Sequence, residues 1–103
     1  MKLTLAGPRY EELQAIFVAE IVARIQIKLQ EAGLDREQQE ELTAGIAMSI
    51  TATIDDLAGI ELDGVEVHPY LTFRTADDEL IHYGENSYTY EQVYGAMRRL
   101  FHA

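Results

Sequence analysis

Five carboxylates crowd into twelve residues: Asp55, Asp56, Glu61, Asp63 and Glu66. An oxygen-rich stretch broken by glycine invites a calcium reading. An EF-hand loop needs ligands at positions 1, 3 and 5, a glycine at 6 and a bidentate glutamate at 12. With Gly64 as the glycine, those ligand positions fall on Gly59, Glu61 and Asp63, and the last falls on Tyr70. Two ligands are missing, the bidentate one among them, so the motif fails. A looser cation site built from Asp55, Asp56, Glu61 and Asp63 is the weaker reading, because Asp63-Gly64 is a strong turn signal. Such a turn sets Glu61 across from Glu66, a like-charge pair that weakens the ribbon and predicts only a very short strand before Gly64.

Asp55 and Asp56 raise a separate question. They fall in the last turn of a predicted helix, where carboxylates cost about 0.3–1 kcal/mol each against the helix dipole. A local rule broken without visible compensation marks a candidate site. Either a basic partner surface neutralises this end, or a basic side chain of the same chain folds over it.

The remaining chemistry is sparse. His68 and His82 fall on opposite faces of a predicted hairpin, and His102 lies next to the end of the sequence. Ser49 and Ser87 lack a nucleophile-elbow context, and no glycine-rich phosphate loop is present. The absence of cysteine excludes disulfides, thiolate metal sites and a cysteine nucleophile. No metal, cofactor or catalytic residue is assigned. Tyrosine is the second signal: Tyr83, Tyr88, Tyr90 and Tyr94 cluster late in the chain. Tyrosine joins large apolar area to a hydroxyl and is enriched at interfaces. Tyr70, Tyr83 and Tyr88 therefore join the carboxylates as interaction candidates, with Tyr90 expected in the core.

The elements that position these residues follow from periodicity. A first helix starts at Pro8, with Leu13, Phe17, Ile21, Ile25 and Leu29 recurring every four residues. It ends at Gly33, with Leu34 placed for the hydrophobic contact beyond the cap. Asp35 and Gln38 have capping-box spacing and open a second helix over residues 36–58, closed by Gly59. Its apolar stripe is Leu42, Ile46, Ile50, Ile54 and Leu57. Gly45 interrupts it at a cost of about 1 kcal/mol relative to alanine.

From Val65 the period changes to two, with Val67, Leu71 and Phe73 on one face and Glu66, His68, Tyr70 and Arg74 on the other. Residues 75–78 form a four-residue turn and residues 79–83 return, pairing Arg74 with Glu79, Phe73 with Leu80 and Tyr70 with Tyr83. Thr89 and Gln92 have capping-box spacing for a last helix. The fold class expected is α+β in the order α-α-β-β-α: a helical hairpin and a C-terminal helix packed with a two-stranded antiparallel hairpin.

The chain has 103 residues, 48% of them hydrophobic and 25% charged, which is the composition of one globular domain. Its start is too short and too acidic for a signal peptide, and residues 42–54, the longest uncharged run, are too short to span a bilayer. A soluble, cytoplasmic protein is expected. The net charge is −10, which argues against nucleic acid and anionic membrane as partners. The middle third holds that charge, with Arg36 against nine carboxylates in residues 35–69.

The leading expectation is a non-enzymatic interaction domain that binds a basic protein through Asp55, Asp56, Glu61, Asp63 and Glu66. Small acidic proteins that neutralise a toxin or chaperone an exported protein share this profile. One alternative is a small-molecule or catalytic site on the hairpin face of His68, Tyr70, Arg74 and Tyr83. Another is a structural homodimer, suggested by Ile16 and Ile27 standing beside Glu20 on the outer side of the first helix.

Overall fold

A computed structural model describes residues 1–102 of the chain. The elements are β1 (Lys2–Leu5), α1 (Gly7–Glu31), α2 (Arg36–Ile54), β2 (Ile60–Leu62), β3 (Val65–Val67), β4 (Phe73–Arg74), β5 (Glu79–His82), a 3₁₀ turn (Thr89–Gln92) and α3 (Val93–Phe101). The fold is α+β.

Local signals set the ends of the two long helices. Gly33, at φ 88°, follows α1, and the Leu34 N–H reaches back to the Leu29 carbonyl at 3.3 Å. At the start of α2 the Asp35 carboxylate accepts from the Gln38 N–H at 2.8 Å, and the Gln38 side chain accepts from the Asp35 N–H at 3.1 Å. The expected capping box is complete. The other end of α2 differs from expectation. The helix stops at Ile54, and Asp56 takes the left-handed position (φ 62°) that glycine usually fills. The Leu57 N–H then bonds the Ala52 carbonyl at 2.9 Å. The chain turns at Asp56, three residues before Gly59, because Asp is among the few residues that tolerate this conformation.

The core is built by α1, α2 and α3 around Val18, Val22, Ala47, Val93, Met97 and Phe101. On α1 the fully buried line is Tyr10, Gln14, Val18 and Val22, with the expected Phe17 stripe half-buried beside it. On α2 the buried face is Gln39, Thr43, Ala47, Thr51 and Asp55, whereas Leu42, Ile46, Ile50 and Leu57 are exposed. The expected stripe therefore lies outside the buried face, with Ile46 and Ile50 at 38% exposure on its margin and Ile54 half-buried. Small side chains let α2 approach its neighbours closely, and the Thr51 hydroxyl is satisfied inside its own helix by the Ala47 carbonyl at 2.8 Å.

The strands also depart from a single hairpin. The expected strand from Val65 to Arg74 is split at Pro69 into two partnerships. Its front, β3, pairs antiparallel with β2, setting Glu61 opposite Glu66. Its back, β4, pairs antiparallel with β5, and β1 adds to the other edge of β5 in parallel. The β4–β5 register is Phe73 with Ile81 and Arg74 with Leu80, one residue from expectation. The cause is Asp78 at φ 60°, which shortens the loop to residues 76–78, closed by the Thr75 N–H on the Glu79 carbonyl at 2.9 Å. Glu79 faces Thr4 instead of Arg74, accepting its hydroxyl at 2.8 Å. The sheet meets α1 through an aromatic cluster in which Tyr10 lies 5.2 Å from Phe73 and 5.6 Å from Tyr83. Burial pushes the Tyr10 hydroxyl up to about 12, and it stays a donor, to the Leu71 carbonyl at 2.9 Å.

Candidate functional site

Asp55 is 1% exposed, and its carboxylate is fully occupied by the chain that follows β5. The Ser87 hydroxyl donates to it at 2.5 Å, the Thr89 N–H at 3.0 Å, the Thr89 hydroxyl at 2.7 Å and the Tyr90 N–H at 2.9 Å. Those N–H groups open the 3₁₀ turn that leads into α3, the place where a helix presents unpaired donors and favours an anion. The unfavourable carboxylate at the end of α2 is thus the cap of another helix. The compensation is neither a basic side chain nor a partner. It also replaces the expected capping box at Thr89, whose hydroxyl turns to Asp55 and leaves the turn without a local side-chain cap.

The opposite end of α2 makes the complementary contact. The Arg36 guanidinium donates to the Leu100 and Phe101 carbonyls at 3.3 and 3.2 Å and lies 4.9 Å over the Phe101 ring. Helix α2 therefore holds α3 by an anion at its start and a cation at its end, both matched to the α3 dipole. Asp55 belongs to the fold and leaves the set of surface carboxylates.

Asp56 remains in that set. Its side chain is 17% exposed and meets His68, whose Nδ1 lies 2.9 Å from Oδ2. The other ring nitrogen lies 3.3 Å from Glu66 Oε2. These hydrogen bonds, to Asp56 first and Glu66 second, raise His68 above its usual 6.5. Beyond them stands the β2–β3 ribbon, in which residues 61–68 are all exposed. Asp63 (φ 51°) and Gly64 (φ 81°) form the two-residue turn, with both residues in the left-handed conformation it requires. One face of the ribbon carries Glu61 and Glu66. The other carries Leu62 at 76% exposure, Val65 at 64% and Val67 at 48%. His68 and this apolar face were missed as companions of the carboxylates. Their signal was the alternation on both sides of Asp63-Gly64.

The tyrosines separate. Tyr83 and Tyr88 are half-buried, 5.1 Å apart in the aromatic cluster. Tyr90 is also half-buried rather than central to the core. Tyr70 is exposed and bonds His82 Nδ1 at 2.7 Å, while the Gly84 N–H donates to the Tyr70 oxygen at 3.2 Å. The four residues of the hairpin-face reading make different contacts, and Arg74 is exposed on β4. His68 turns to Asp56, Tyr83 to Tyr10, and Tyr70 lines an open groove with Thr53, Ile54, Pro69 and Leu71. Among the described residues, no group of three His, Asp or Glu side chains is placed to hold a metal ion, and no helix is long and apolar enough to cross a membrane.

The candidate site is an acidic ribbon, exposed over residues 61–68, on a three-helix α+β fold. No protein family, curated protein or solved structure matches the chain.

Proposed function

We propose that this protein is a non-enzymatic interaction domain that binds a basic protein partner through Asp56, Glu61, Asp63 and Glu66. The observation that carries the reading is the in-register Glu61–Glu66 pair on a ribbon exposed on both faces. Like charges directly opposite destabilise a two-stranded ribbon, which is marginal in water even without them. A lysine- or arginine-rich surface removes that cost and covers Leu62, Val65 and Val67 at the same time. The acidic patch also speeds encounter with a cationic partner. Neutralisation of a basic effector in a reducing cytoplasm is the kind of task this profile suits, and the cysteine-free composition agrees with it.

The test is a titration of the ¹⁵N-labelled chain with lysine- and arginine-rich peptides at low and moderate salt. Shifts should concentrate on residues 56–68 and fade as salt rises. The combined variant Glu61→Gln, Asp63→Asn, Glu66→Gln should bind at least about tenfold more weakly, one to two contacts' worth of charge pairing. Binding unchanged in that variant, or centred elsewhere, overturns the reading.

A further inference from the structure

The outer face of α2 is unlike a solvent-facing helix. Leu42, Gly45, Ile46, Ser49, Ile50 and Thr53 are all exposed, and none is charged. They lie within residues 42–54, a run with no charged side chain in a protein of net charge −10. An exposed helix face normally carries charged or polar residues.

The six residues form two adjacent rows. Leu42, Ile46 and Ile50 recur every four residues and build a ridge, while Gly45, Ser49 and Thr53 recur at the same interval and leave a shallow groove beside it. Gly45 has no explanation inside the chain. Its conformation is helical, and a Cβ there would meet nothing within 4 Å. A helix-weakening glycine over open space makes sense where another surface comes close.

The same helix thus carries both a ridge and the groove to receive one. Two ridges of this type interdigitate at a crossing angle of about −50°, the commonest helix packing class. A two-fold interface needs this self-complementarity, because each surface meets its own copy.

The chain exposes 6773 Å², where the scaling for compact monomers gives about 5,800 Å² at this mass. That excess belongs to the whole molecule, the exposed ribbon of residues 61–68 included. The molecule is also thin, 44 × 38 × 20 Å, with a radius of gyration of 15.3 Å where about 13 Å is usual.

We propose that this face is the interface of a homodimer, formed by α2 of one copy packing across α2 of the second with Ile46 near the two-fold axis. The charge-free face is where two chains of like charge can meet at least electrostatic cost. This interface differs from Ile16 and Ile27, which stand on the opposite side of α1 from the buried Val18 line. It is also independent of the acidic ribbon. Salt distinguishes the two, since screening tightens contact between like-charged copies and loosens contact with a basic partner.

Sedimentation equilibrium of the full chain tests the proposal. The wild type should have the mass of two chains, with a smaller dissociation constant at higher salt. Ile46→Glu should give one chain's mass with unchanged far-UV circular dichroism. Gly45→Gln should do the same while melting no lower than the monomeric Ile46→Glu variant, because glutamine is a better helix former than glycine. Ile16→Glu should stay dimeric. In this cysteine-free chain, Ile46→Cys should cross-link to a dimer under mild oxidation and Ile16→Cys should not. A monomeric wild type, a dimeric Gly45→Gln variant, or dissociation by Ile16→Glu alone would each overturn it.

Discussion

Asp55 and Asp56 are adjacent, chemically identical and placed at the same end of the same helix, yet they have opposite fates. Asp55 turns inward, where Ser87, Thr89 and Tyr90 supply four hydrogen bonds to its carboxylate. Asp56 turns outward in a left-handed backbone conformation and meets only an exposed histidine. The difference lies in what the rest of the chain brings to each. A carboxylate at a helix C-terminus is unfavourable until another helix start is delivered to it. It then becomes a link between two elements far apart in sequence. Arg36 makes the mirror-image link at the other end of α2.

The comparison predicts unequal costs. Asp55→Ala should destabilise the domain most, by about 3–5 kcal/mol in urea denaturation, because buried donors lose a charged acceptor. For a domain of ordinary stability that is a large share of the total. A loss under about 1 kcal/mol would show that the start of α3 does not depend on this cap. Arg36→Ala should cost less, about 1–2 kcal/mol, since its contacts to the α3 carbonyls and Phe101 are partly exposed.

Asp56→Gly should run the other way. Glycine relieves the left-handed conformation and removes a carboxylate from the dipole's negative end, so a gain of roughly 0.5–1 kcal/mol is expected, reduced by the lost His68 contact. A clear loss of stability from this substitution would place Asp56 in the same class as Asp55 and erase the distinction.

The smallest effect is in the titration of His68. Its pKa is raised, so its bonds to Asp56 and Glu66 favour the folded state below the ordinary 6.5, and that contribution is lost as pH rises through the folded-state value. Chemical shifts of the His68 ring should give a midpoint above 6.5, and Asp56→Asn should lower it. Protonation of His68 also makes the acidic patch less negative. Binding of a lysine-rich peptide should therefore weaken as pH falls through the same midpoint, measured by the same titration.

Much of the candidate site was legible. Asp63-Gly64 announced a two-residue turn, and the turn alone set Glu61 against Glu66. The β4–β5 loop was not legible to the residue, because Asp78 in a left-handed conformation is one of several closures that the sequence allows, and each shifts the register. Strand β1 was hidden for another reason. Four residues pairing in parallel with β5, far along the chain, leave no local pattern strong enough to read.

Local chemistry was decided by the sequence itself. The Asp35–Gln38 box, Gly33 at the end of α1 and the Asp63-Gly64 turn depend on atoms a few residues apart, and they form wherever that segment goes. The tertiary structure alone decided which face of α2 is inside. Thr43, Ala47 and Thr51 went in while Leu42, Ile46 and Ile50 stayed exposed, because close approach of three helices rewards small side chains, and the Thr51 hydroxyl bonds its own helix. It also decided the role of Asp55, since the groups that donate to its carboxylate lie more than thirty residues away and reach it only in the folded chain.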